Sequence, residues 1–211
     1  MKKSYYSLPR GYLSYSQMQL WLSNPKRYAE QYFDNRGDSY SNSGQQFGKL
    51  VADAMEAGGE TGDLLTDAAM LLLPKYDVRD QSFTVEFKGK KKWLTLIIKP
   101  DMFNSNTHEF REIKTGVHPW TQAKANKHPQ LIFYAFGIWL KYGTKNTDCY
   151  LDYVETEKTP DGIKPTGLVR SFKVHFKRAD YGAFKAKALQ VAEEIEVAWS
   201  AHETKEWKMT F

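Results

Sequence analysis

The chain has 211 residues, 41% hydrophobic and 15% aromatic, with 30 Lys and Arg against 25 Asp and Glu, for a formal charge of +5. That length supports one sizeable core and is short for two, and the mild cationic excess favours an anionic partner without demanding one. A lone cysteine, Cys149, excludes an intrachain disulfide framework and a thiolate metal cluster, and fits a reducing compartment.

In chain order, Ser14 stands three residues before Gln17 and just ahead of Met18, Leu20, Trp21 and Leu22, a capping-box start for a short helix. Asn24-Pro25 breaks it, and proline at a first helical position opens a second helix over Pro25 to Phe33. Asp34 to Gly44 is a polar loop. Phe47, Leu50, Val51, Ala54 and Met55 recur at helical spacing within Gln45 to Glu56, Gly58-Gly59 closes that helix, and another runs from about Asp63 to Leu73 before Pro74.

The period then changes. Phe83, Val85 and Phe87 alternate with polar residues, Gly89 to Lys92 makes a turn, and Trp93 to Phe103 is β-rich. After a second turn at Asn104 to Thr107 comes His108 to Thr115, so three consecutive antiparallel strands are expected. Gly116 to Pro129 reads as irregular, and Gln130 to Tyr142 as a helix that is apolar almost all round, hence packed on both sides. Cys149 to Val154 and Leu168 to Phe176 read as strands joined by a Pro- and Gly-containing excursion. Arg178 to Trp207 reads as a long charged helix, interrupted or frayed late. There is no internal repeat, and the basic Met1-Lys2-Lys3 start has no apolar stretch behind it. No segment has the apolar length of a bilayer span, so the chain is expected to be soluble, unprocessed and cytoplasmic, or intracellular in the host of a mobile element.

Strand side chains alternate between faces, so Glu112 and Lys114 share one face, and the turn at Asn104 to Thr107 returns Asp101 beside them. Two carboxylates, helped by the Ile113 backbone carbonyl, make a hard oxygen site for Mg²⁺ or Mn²⁺, with the Lys114 ammonium placed to position a water or stabilise developing negative charge. The bland alternative is an ordinary cross-strand acid–lysine pair of little energy.

Lys99-Pro100-Asp101 followed by Glu112-Ile113-Lys114-Thr115-Gly116 resembles the PD-(D/E)XK nuclease superfamily. Leu13-Ser14-Tyr15-Ser16, Asn24-Pro25 where a Cys-Pro pair is usual, and Gln130-Leu131-Ile132-Phe133-Tyr134 narrow the resemblance to its RecB-like branch, over residues 11 to about 140. The resemblance implies a restriction-endonuclease-like α/β fold with a central mixed sheet flanked by helices, and a metal site at one sheet edge. It also implies that Gln130 and Tyr134, one helical turn apart, hold substrate or order the metal site. A helix-start glutamine and a core tyrosine are the alternative.

The branch usually carries Gly-x-x-x-His on an earlier helix; here Gly48 is followed by Ala52, and Glu56, one turn on, is the candidate replacement ligand, with a solvated glutamate as its alternative. Relatives with an iron–sulfur cluster use cysteines that this chain lacks. His118 and His128, in the irregular segment, either approach the site or lie on the surface, the second being the favoured reading and neither being counted as a ligand, and Cys149 reads as a small buried hydrophobe.

For DNA, single-stranded favoured, Trp120 with Lys124 and Lys127 is the preferred contact group, with Tyr134 beside it, because cations combined with stacking platforms hold unpaired strands. Lys88, Lys90, Lys91 and Lys92 on one hairpin, and Lys26, Arg27 and Tyr28, are further candidate contacts, with a solvated turn and surface charge as the favoured readings. The expectation is one nuclease domain over residues 1–211, with a helical part over about 11–75 and a catalytic part over about 80–211. It would be an exonuclease on single-stranded ends in recombination or repair. An endonuclease, or a binding module without catalysis, are the rivals, and the oligomeric state is open.

Overall fold

The computed structural model describes residues 3–36, 47–51, 53, 61–73, 78–79 and 82–204. Helix α1 (Tyr15–Ser23) starts as its sequence dictates: Ser14 accepts from the Gln17 N–H while the Gln17 side chain accepts from the Ser14 N–H. Asn24 then serves two helices. Its N–H closes α1 on Leu20, and its side chain caps α2 (Pro25–Tyr32) through Arg27, which accounts for an amide at this position without any metal role. Residues 47–51 and 53 are helical, and α3 (Leu64–Leu71) is capped by Asp63.

The strands depart from three in a row. β2 (Phe83–Lys88) and β3 (Trp93–Ile98) form a hairpin that is a sheet of its own. Pro100 and Asp101 interrupt the chain, since proline has no N–H for a ladder, and the separate strand β4 (Met102–Phe103) joins a different sheet. That sheet has five strands in the order β1 (Val78–Arg79), β4, β5 (Phe110–Gly116), β6 (Asn146–Thr159), β7 (Gly162–Lys177), antiparallel except for the parallel β5–β6 pair. The expected excursion between the last two strands does not exist: β6 and β7 are one long hairpin turning at residues 160–161, with an irregularity at Val154 to Thr156.

The parallel pair requires a crossover, which α4 (Gln122–Asn126) and α5 (Pro129–Tyr142) supply. The stretch read as irregular therefore contains a helix, capped by Thr121. Helix α5 lies between the hairpin and the five-stranded sheet, and α6 (Tyr181–Glu203), entered through a 3₁₀ turn at Arg178–Asp180, packs on α5 and α1. This explains why α5 is apolar on nearly every side: Leu131, Phe133, Ala135, Phe136 and Ile138 are almost wholly buried in the larger core. Gly137 sits where the helix meets the hairpin, and a Cβ there would overlap Ile98. On the opposite sheet face a smaller cluster joins Phe47, Val51, Ala69 and Leu73 to Met102, Val154 and Ile113. The architecture is thus mixed α/β, a central mixed sheet flanked by helices. Among the described residues no helix is long and apolar enough to cross a membrane.

Candidate active site

The site forms where β4 gives out. β4 pairs with only two residues of β5, Phe110 and Arg111. One step further, Asp101 stands across from Glu112, and where a longer strand would offer a carbonyl, Asp101 Oδ2 accepts from the Ile113 N–H at 2.7 Å. Asp101 and Glu112 therefore meet on one side, toward α5. The acids expected at a sheet edge lie instead on and beside β5, the middle of the five described strands, next to a neighbour only two residues long.

Glu112 is only 2% exposed. Its Oε1 accepts from Lys114 Nζ at 2.6 Å and from Gln130 Nε2 at 2.5 Å, and the same amide nitrogen donates to the Tyr134 hydroxyl at 3.1 Å. The other oxygen, Oε2, is buried and has no hydrogen-bond partner. Burial, and next the charge of Asp101, push this carboxyl up to about 8, against the pull of Lys114 and Gln130. A buried carboxylate oxygen left unsatisfied beside a second carboxylate is costly unless a proton or a cation completes it. The donors are hard oxygens, so the residues present fit Mg²⁺ or Mn²⁺ and not a soft metal. Among the described residues no group of three or more His, Cys, Asp or Glu forms a metal cluster; Ala52 and Glu56 lie outside the described residues. A Cβ at Gly48 would come 3.3 Å from the Thr115 hydroxyl, so the helical residues 47–51 lie against β5 next to Lys114.

The structure thus brings Asp101, Glu112, Lys114, Gln130 and Tyr134 together. Tyr134 is 6% exposed, accepts from Gln130 at its hydroxyl and lies edge-on to Phe110 at 5.9 Å. Three neighbours were not among the residues singled out for the site. Tyr15, first residue of α1, packs on His128 at 6.3 Å and on Phe133 at 6.1 Å; burial and then the Glu112 charge push its phenol up to about 12. Tyr153, across the parallel pair from Lys114, holds the carbonyls of Gly116 and His118 with its hydroxyl and so fixes the chain leaving β5. His128, read as a surface residue, is half-buried with its Nδ1 enclosed and unpartnered; burial and then the Lys114 charge lower its imidazole to about 4. The sequence signals were thin, a tyrosine inside Leu13 to Ser16 and a histidine just before Pro129.

Trp120 lies edge-on to His128 at 5.2 Å and is half-buried, while Lys124 and Lys127 are exposed on and just after α4, Lys124 Nζ donating to the Pro119 carbonyl at 3.1 Å. The lysine hairpin is tied to α6 through Lys92 and Glu196 at 2.5 Å. Tyr28 is buried against Trp21, Tyr32 and Phe33, so the reading of it as surface is overturned. Cys149 is buried, as expected, with its thiol toward the Val174 carbonyl.

No family model matches the sequence, and no curated protein matches it. Among solved structures the chain is similar to one designated SSO0001, with 13% identity over 88% of this chain and 75% of that one and a TM-score of 0.49. It is also similar to the alkaline exonuclease LHK-Exo from Laribacter hongkongensis, with 14% identity over 95% of each chain and a TM-score of 0.46. Likenesses this remote leave function to be argued from the site's own chemistry.

Proposed function

We propose that the chain is a divalent-metal-dependent deoxyribonuclease of the PD-(D/E)XK, RecB-like type, acting as an exonuclease on single-stranded DNA ends. The observation that carries the reading is the enclosed, unpartnered Oε2 of Glu112, placed beside Asp101 with the Lys114 ammonium on its other oxygen.

Asp101 and Glu112, with the Ile113 carbonyl, would hold Mg²⁺ or Mn²⁺, and Glu56 is the candidate further ligand. Bound there, the cation supplies Lewis acidity, polarising the scissile phosphate and lowering the pKa of the attacking water. Lys114, whose Nζ lies 2.6 Å from Glu112 Oε1, would orient the water and offset charge developing on the phosphate. Gln130 fixes the Glu112 carboxylate by donating to Oε1, and Tyr134, one turn along α5, fixes Gln130. No side chain is needed as a covalent nucleophile. Trp120, Lys124 and Lys127 follow the catalytic strand and supply stacking area and phosphate contacts.

The test is incubation with end-labelled linear and covalently closed circular DNA, single- and double-stranded, with Mg²⁺, Mn²⁺ or chelator. Metal-dependent loss of linear single strands with circles intact is the expected result. Opening of circles would make the chain an endonuclease, and binding without cleavage under every metal condition would make it a binding module.

A further inference from the structure

We propose that the groove between α1, α5 and α6 beside Tyr15 is a nucleobase subsite, seating one unpaired base of the strand whose phosphate lies at Glu112 and Lys114. The inference rests on the nuclease reading above and adds where the substrate strand goes.

The groove is a cavity of about 270 Å³ walled by Tyr15, Met18, Leu22, Ile132 and Phe184. This is below the roughly 300–1,000 Å³ of sites that take drug-sized molecules, which suits one flat heterocycle and excludes a base pair. Its aromatic walls are held by a common support, since the buried Phe133 is met edge-on by Tyr15 at 6.1 Å and by Phe184 at 5.6 Å. Polar groups sit only around the walls. Lys187 supplies a cation for a flanking phosphate, Gln19 an amide for a base edge, and Asp180 is occupied with the Lys177 N–H at 2.7 Å.

Continuity with the site selects the occupant. Tyr15 belongs to the groove wall and packs at 6.3 Å on His128, the residue just before Pro129. Pro129, another wall residue, directly precedes the Gln130 that donates to Glu112. An apolar slot with two aromatic walls, at the end of the helix that carries Gln130, suits a base whose neighbouring phosphate would lie at Glu112. A base in that slot cannot remain paired, so the subsite selects against duplex.

The test uses the intact protein with chelator present, so that binding is read without cleavage. Fluorescein-labelled single-stranded oligonucleotides carrying one abasic position, moved along the strand, are titrated against the wild type and against Ala183→Trp, which fills the groove from an exposed wall position. The expected result is one position whose abasic substitution weakens wild-type binding roughly 5- to 150-fold, the loss of one stacked base. Ala183→Trp should weaken binding of the intact strand to a similar extent and abolish the effect of that position. Leu22→Ala, which thins the wall, should give a smaller loss at the same position, with thermal unfolding confirming that both variants fold. Unchanged binding by both variants, in a protein that still cleaves single strands, overturns the subsite and leaves the nuclease reading standing. Failure of the wild type to bind or cleave any DNA overturns both. A dimer that Ala183→Trp disperses, seen by sedimentation, overturns the subsite in favour of a second copy as occupant.

Discussion

Glu112 is a carboxyl that the fold holds against its preference for water. Its folded pKa, about 8, lies above the ordinary 4.5, because burial and Asp101 both disfavour the charged form. The folded chain therefore binds the extra proton more tightly than the unfolded one. The stabilisation this confers is complete below about pH 4.5 and is lost as pH rises through about 8. In chelator, denaturant unfolding across pH 4.5–9 should show stability falling by an amount on the order of a few kcal/mol from this group, and Glu112→Gln should flatten the fall. An identical pH slope in the two proteins would mean that Glu112 is not the strained group. On the proposed mechanism Lys114 acts at the same carboxylate in the opposite sense, as a charge needed when the phosphate reacts. Lys114→Ala should reduce cleavage by at least a hundredfold while retaining metal binding by calorimetry, whereas Asp101→Ala should remove both. A fully active Lys114→Ala enzyme would refute its role.

At the level of elements, the site depends on a strand that stops early and on a helix that approaches very closely. Gly137 lets α5 sit against Ile98 of the hairpin, and any Cβ there meets that side chain. Gly137→Ala should therefore lower stability by about 1–3 kcal/mol despite alanine's better helix propensity, measured by urea unfolding, and should reduce cleavage by displacing Gln130 on the same helix. Local signals of this kind show what sequence conveys well. The Ser14 capping box, the Asn24-Pro25 break, the all-round apolarity of α5 and the shared face of Glu112 and Lys114 depend on residues a few positions apart, and each is found as read. What sequence conveyed poorly was set by partners far along the chain. The run from Trp93 to Phe103 is apolar enough for one strand, yet Pro100 and Asp101 divide it between two sheets. Thr121 caps a helix of only five residues that carries too little periodicity to detect. His128 is enclosed by Trp120 and Tyr15, neither of which its own neighbours foretell.

Across the whole molecule, the two sheets and the α5 layer converge on a centre that is locally unfavourable as it stands, with two acids adjacent and one oxygen unsatisfied. On the proposed reading such a centre would couple metal binding to global stability, because a cation that binds the folded chain and not the unfolded one shifts the equilibrium by RT ln(1 + [M]/Kd), about 2.7 kcal/mol at a hundredfold excess over Kd. For a chain of this size that corresponds to a rise in Tm of roughly 5–10 °C. Protons compete for the same carboxylate. Below about pH 8 a proton must leave Glu112 before its two oxygens can serve a cation, so a fixed Mg²⁺ concentration should stabilise the protein more at pH 8.5 than at pH 6.5, with binding accompanied by proton release at the lower pH. Thermal unfolding with and without 10 mM Mg²⁺ at the two pH values measures this directly, and Asp101→Asn should abolish the Mg²⁺ increment at both. An increment independent of pH would place the cation away from Glu112 and remove the physical basis of the proposed site.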